Sequence, residues 1–192
     1  MSHMSVLELI NLEISHISDE FVAWHNKEHS KLYSASGRVF SKANLISEFE
    51  NGIKNKNLFQ YLVRHKKDKE NIGVIKIGPI DKVHMKSDLV AFIGNENYLK
   101  KGFGSEAIRL GNDIAFNKLN LRKIHGPIVK SNIGAVKVYL KANWIIEGIQ
   151  KGHYLIKNKQ EDAILVACFN PRYFKNKICK NSVFKIEDIY QL

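Results

Sequence analysis

A pair of glycines at the junction between two kinds of residue pattern constrains this chain more than any other feature. Asp88 to Gly94 reads as a strand, Ala107, Ile108, Gly111, Ile114 and Ala115 recur at helical spacing, and Gly102-Phe103-Gly104 lies between them. Strand, glycine loop and helix in that order let the backbone approach a ligand closely, while the first helical N–H groups point at an anion. Lys100 and Lys101 add positive charge just before the loop, and Ser105 adds a hydroxyl donor at the helix start. The site therefore suits a phosphate; on the loop alone, a simple turn with a glycine helix cap is the alternative. Two better-known phosphate loops are excluded. A Walker loop needs Lys-Ser or Lys-Thr after its last glycine, where this chain has Ser105-Glu106. A dinucleotide fingerprint matches Gly102, Gly104 and Ala107 on paper. About twenty residues on, however, stands Leu121-Arg122-Lys123-Ile124, without the acid that holds a ribose, and the loop is mid-chain rather than after a first strand.

The rest of the chain supplies one domain around that loop. Val6 to Leu12 reads as a first strand, Ser18 caps a helix through Phe21, Val22 and Trp24, and a second helix starts at Ser41 and stops near Gly52. Phe59 to His65 and Asn71 to Ile77 read as a hairpin, and Asp88 to Gly94 as the fourth strand. After the glycine-loop helix come a strand at Lys123 to Val129, a helix through Ile133, Val136 and Leu140, and strands near Trp144 to Ile156 and Ala163 to Phe169. The expected division is a tag-like remnant at 1–4, one domain at 5–170 and a weakly patterned C-terminal extension at 171–192.

Composition narrows the classes. A 44% hydrophobic and 26% charged chain of 192 residues is ordinary for a soluble globular domain, and Ala163 to Phe169, the longest uncharged apolar run, is far shorter than a membrane span. Cys168 and Cys179 lack metal-type spacing, so no metal is expected; two free thiols and no secretory leader fit a reducing cytoplasm. The net charge of +11 favours anionic partners. The lysines are scattered rather than clustered, which argues against a nucleic-acid-binding module.

Leu99-Lys-Lys-Gly-Phe-Gly-Ser-Glu-Ala107 resembles the cofactor loop of the GNAT superfamily, Gln/Arg-x-x-Gly-x-Gly/Ala, and most closely its RimJ/RimL-type branch. Leu99 departs from the motif's Gln or Arg. A second block, Asn132-Ile-Gly-Ala-Val-Lys-Val-Tyr139-Leu-Lys-Ala-Asn143-Trp144, is similar to that family's Asn-x-x-Ala-x-x-x-Tyr-x-x-x-Gly-Phe, with Asn143 taking the glycine's left-handed, helix-ending role. The resemblance implies an α/β fold with a mixed, mostly antiparallel sheet splayed at strands 4 and 5. It also implies acetyl-CoA as co-substrate, its pantetheine paired with the backbone of Phe92, Ile93 and Gly94 and its pyrophosphate at Lys100, Lys101, Gly102, Phe103, Gly104 and Ser105. Tyr139 would protonate the departing thiol, unless it merely packs its helix, and Asn132 would hold cofactor or helix geometry or simply cap the helix.

The acceptor and the base are less determined. Strand 4 carries no carboxylate between Leu89 and Ile93, leaving Asp88, Glu96 and His125, or a water relay, as candidate bases. Deprotonating a lysine-like amine at pH 7 costs roughly 4.6 kcal/mol, against about 1 to 1.4 kcal/mol for an α-amine, so a weak base favours the easier amine. Asn132 to Gly152 is similar to amino-sugar-nucleotide acetyltransferases, which makes an amino-sugar nucleotide the expected acceptor, with a protein N-terminus second. By the same analogy Trp24, His25, Asn26, His29 and Tyr33 would line the acceptor side, the alternative being a solvent-facing helix end. The rival classes are an inactive acyl-CoA-binding version of the fold and a basic nucleic-acid binder; a homodimer is compatible with either reading.

Overall fold

A computed structural model of the chain describes residues 5–27, 30, 38–174, 182 and 184–190. In chain order these form β1 (Leu7–Asn11), α1 (Asp19–Asn26), α2 (Lys42–Asn55), β2 (Phe59–His65), β3 (Glu70–Asp81), β4 (Lys86–Ile93), α3 (Phe103–Asp113), β5 (Lys123–Val129), α4 (Ile133–Lys141), β6 (Ile145–Ile156), β7 (Lys159–Phe169) and α5 (Ile186–Tyr190). The strands make one sheet in the order β1-β2-β3-β4-β5-β7-β6, antiparallel throughout except for β4 against β5. This is the expected mixed sheet.

Alternation along each strand divides the apolar residues between two faces. Leu89, Ala91 and Ile93 of β4 and Ile124 and Ile128 of β5 join Ala107, Ile108, Val136 and Tyr139 of α3 and α4 in the main core. On the opposite face Leu62, Val74 and Phe92 pack under Phe21 and Trp24 of α1 and Leu45 and Phe49 of α2. The helices follow local chemistry. Ser18 and Ser41 accept hydrogen bonds from Phe21 N and Asn44 N at the starts of α1 and α2, as their sequence positions indicate.

Several boundaries differ from the sequence reading. Helix α2 continues past Gly52 to Asn55, because that glycine is a packing residue: a Cβ there would sit 3.0 Å from Leu58. Helix α3 loosens into a π-turn over Ile114–Lys118, where Leu119 N donates to Ile114 O at 3.0 Å. The C-terminal extension is docked where it is described. Ile189 joins the main core, the Tyr190 hydroxyl donates to Lys130 O at 2.7 Å, and Ser182 Oγ accepts from Ile146 N at 3.0 Å.

Candidate active site

The parallel ladder between β4 and β5 is three rungs long. Lys86 pairs with Lys123, Ser87 with Ile124 and Asp88 with His125, after which the strands separate although each continues for several residues. The phase of the neighbouring ladder supplies a cause. Lys130 N donates to Asp162 O and Asn170 N to Arg122 O, so even-numbered residues of β5 bond to β7 and odd-numbered ones present their backbone to β4. The next residue due to donate to β4 is Pro127, which has no N–H. Its carbonyl accepts instead from the Tyr154 hydroxyl of β6 at 3.2 Å.

The same test fixes which groups of β4 face the gap. Gly94 N donates to Ile72 O at 2.9 Å, and Phe92 O lies so close to β3 that a Cβ on Gly73 would meet it at 2.3 Å. Phe92 and Gly94 therefore turn their backbone toward β3, and Leu89, Ala91 and Ile93 turn theirs toward β5. Of the three residues expected to pair with a pantetheine arm, only Ile93 has the right phase. Ala91, which the sequence reading missed, shares it. Gly94 must be a glycine for another reason: a Cβ there would strike the Trp24 ring at 2.3 Å.

Tyr139 reaches this gap from α4. Its ring is buried against Trp144, with centroids 4.7 Å apart, and its hydroxyl donates to Leu89 O at 3.0 Å, one residue beyond the last rung. Trp144 is held in turn by Nε1–H donation to Asn112 Oδ1 at 3.0 Å. Asn143 takes φ +66°, so the left-handed end expected of α4 is formed. Asn132 caps α4, its side-chain oxygen accepting from Ala135 N at 3.1 Å, and it lines the cleft with Tyr139, Asp88 and Tyr154.

The glycine loop stands at the C-terminal end of β4. Gly102 has φ +86° and open space where a side chain would be, directly before the eleven residues of α3. Lys100 is exposed, and Lys101 Nζ sits 5.6 Å from the Tyr98 ring centroid. Phe103 packs against the rings of His65 and Tyr98. Gly104 keeps α3 close to α4, since a Cβ would lie 3.3 Å from Val138. Ser105 corrects the sequence reading: it is 1% exposed and its hydroxyl donates to Gly102 O at 2.9 Å, so only its backbone N–H remains as a donor. Leu99 packs against the main core, which explains an apolar residue at that position.

The candidate bases divide. Asp88 and His125 meet on the last rung, Oδ1 to Nδ1 at 3.2 Å, whereas Glu96 lies beyond the far end of β4 and pairs with Lys27 at 3.2 Å. Burial pushes the Asp88 carboxyl up and the His125 imidazole down from their ordinary values, with each partner's charge opposing the shift. Among the described acceptor-side residues, three prove structural. Trp24 is buried on Gly94, and Asn26 bridges α1 to Phe40, donating to Phe40 O at 2.8 Å and accepting from Phe40 N at 2.8 Å. His25 is buried among Phe21, Phe40 and Phe92, which lowers its pKa to about 4. His29, Tyr33 and Cys179 lie outside the described residues.

A larger cavity of about 500 Å³ lies elsewhere, between α3 and the ends of β6 and β7. Its polar groups already serve the fold: Asn112 bonds Trp144 and Ala142 O, and Arg109 bonds Lys141 O. Cys168 on its wall is pushed up to about 11 by burial, far from a reactive thiolate. Among the described residues no cluster of His, Cys, Asp and Glu could hold a metal, and no helix is long and apolar enough to cross a membrane.

Comparison with known proteins bears on the same residues. The family profile described as acetyltransferase (GNAT) domain matches residues 7–144, which include β4, the glycine loop, Asn132 and Tyr139. The chain belongs to the GNAT acetyltransferases. It is thus an N-acetyltransferase with acetyl-CoA as co-substrate. It is 25% identical over 126 residues to the probable N-acetyltransferase YjcK of Bacillus subtilis, covering 66% of this chain and 70% of that one. It is 29% identical over 106 residues to the spermidine N(1)-acetyltransferase of Escherichia coli K12, covering 55% and 56%, so it spans a little over half of that relative. Among solved structures, the Vibrio cholerae spermidine N-acetyltransferase in complex with CoA and spermine superposes with a TM-score of 0.80 at 22% identity, over 88% of this GNAT chain and 99% of that one. A dodecameric form of the Vibrio cholerae enzyme gives 0.73 at 21% identity, over 89% and 98%. At such identities the likeness is one of fold. None of these relatives is named for an amino-sugar nucleotide or a protein N-terminus.

Proposed function

We propose that this GNAT enzyme acetylates a primary amine of a small, flexible polyamine by direct attack on the thioester of acetyl-CoA bound in the β4–β5 gap. The observation that carries the reading is the three-rung ladder with the Tyr139 hydroxyl on Leu89 O just beyond it. In this arrangement the backbone of Ala91, which faces the gap, pairs with the pantetheine arm, and the pyrophosphate rests on the N-terminus of α3 behind Gly102. The Tyr139 proton passes to the sulfur as the carbon–sulfur bond breaks, which a thiol of pKa about 8.5 makes an easy departure. The relatives named for spermidine support a polyamine acceptor over the amino-sugar nucleotide expected from Asn132 to Gly152. A net charge of +11 gives a polycation no long-range attraction, so its recognition must be local, at carboxylates such as Asp88.

Thiol release from acetyl-CoA, measured with spermidine, spermine, an amino-sugar nucleotide and a short peptide α-amine as separate acceptors, tests this reading. Spermidine or spermine should give the highest kcat/KM. Turnover confined to the nucleotide sugar or the peptide would contradict it.

A further inference from the structure

The last rung before the splay holds an acid–imidazole contact whose acid, Asp88, lines the cleft. Asp88 Oδ1 and His125 Nδ1 are 3.2 Å apart, on residues that are direct partners across the parallel ladder. Both side chains lie on the sheet face opposite α3 and α4, because Leu89 and Ile124, their neighbours, point into the core beneath those helices. Tyr139 approaches from the α4 side and meets the same point of β4 through the Leu89 carbonyl. A proton donor and a proton-accepting pair are therefore set on opposite faces of the sheet, one residue apart along β4.

We infer that Asp88 and His125 act together as the proton-accepting pair for the attacking amine, an assignment that rests on the acetyl-transfer reading above. Nδ1–H donation to Asp88 selects the tautomer whose Nε2 carries the free lone pair. The Asp88 carboxylate, which lines the cleft, receives the ammonium. One proton moves from the ammonium to the imidazole, and the neutral nitrogen then forms its bond to the thioester carbon. As the carbon–sulfur bond breaks, the sulfur takes the Tyr139 proton. The second proton leaving the nitrogen restores the phenol, and the imidazolium returns its own to water. The sum is an ammonium and a thioester giving an amide, a thiol and one released proton.

The electrostatics agree. Burial lowers His125 from 6.5, so at pH 7 the imidazole is neutral and able to accept. The charged and titratable groups facing the pair are Lys86 on β4, Lys123 on β5, and Glu147 and Tyr154 on β6. Lys123 is neutralised by Glu147 at 2.7 Å, and burial, with a smaller part from Asp88, raises the Tyr154 phenol and keeps it protonated. Protonation of His125 as pH falls below its lowered pKa removes the acceptor, which gives the reaction an acid limb on the acidic side of the ordinary histidine range.

The test is the pH profile of kcat/KM for spermidine in the wild type, His125→Gln and Asp88→Asn, with acetyl-CoA binding followed by calorimetry. Both variants should bind acetyl-CoA as the wild type does. His125→Gln should lose about 10²-fold in kcat/KM at pH 7 and lose the acid limb, and Asp88→Asn should lose rate through the wrong tautomer. A fluorinated spermidine analogue whose amines titrate nearer neutrality should recover much of the loss in His125→Gln. An unchanged profile, or an equal loss with both amines, would overturn the assignment while leaving the acetyl-transfer reading standing. A wild type that acetylates no polyamine would overturn both.

Discussion

The two edges of β5 behave as opposites. Toward β7 all seven residues are paired, from Lys123 with Phe169 to Val129 with Ala163; toward β4 only three are. The same strand is thus a sealed seam on one side and an open mouth on the other. What separates them is backbone phase plus a single proline. Pro127 can sit within the β7 ladder because its nitrogen faces β4, and for that reason β4 has no donor to meet there. On the proposed reading the sealed edge carries stability and the open edge the chemistry, so changes on the two sides should have separable effects.

The largest effect is expected on the sealed side. Ile164 is fully buried and pairs with both Ile128 and Ile149, so Ile164→Ala should cost about 3 kcal/mol in a denaturant titration. Per folded molecule, kcat should be unchanged; a large loss of kcat at low denaturant would mean that the two edges are not independent. On the open side the order reverses. Tyr139→Phe should lower kcat about 10²-fold while acetyl-CoA still binds, at a stability cost of about 1 kcal/mol for the lost bond to Leu89 O. Unchanged turnover would reduce Tyr139 to a packing residue.

The sequence displayed the fold more completely than the site. The seven strands are legible because apolar alternation and the Gly102 loop are local signals, and Asn143 shows its left-handed turn by replacing a glycine. The end of α2 is not legible locally, because Gly52 looks like a stop signal and only the approach of Leu58 reveals it as a packing residue. In the site, Gly102 stands directly before α3 and Tyr139 reaches the β4–β5 gap from α4. Ser105, Phe92 and Gly94 do not present the groups expected of them, since that depends on which way a hydroxyl turns and which phase a ladder takes. Asp88 and His125 are 37 residues apart in sequence, and nothing local announces that they share a rung. Pro127 was visible from the start, and a proline inside a strand pattern is the sequence signal that could have located the splay.

The central claim is that the unpaired edge of β5 is space for acetyl-CoA, and Gly126 offers the most direct test. Its missing side chain would extend from the α3–α4 face, with a Cβ 3.9 Å from Leu89 O, an ordinary contact that the fold should tolerate. Calorimetric titration of Gly126→Leu with acetyl-CoA, beside the wild type and with the thermal midpoint of each recorded, is the measurement to make. Binding to the wild type, weakened at least about tenfold in a variant that keeps its midpoint, is the expected result, corresponding to about 1.4 kcal/mol of binding energy. Equal binding by both proteins would place the cofactor elsewhere and contradict the account.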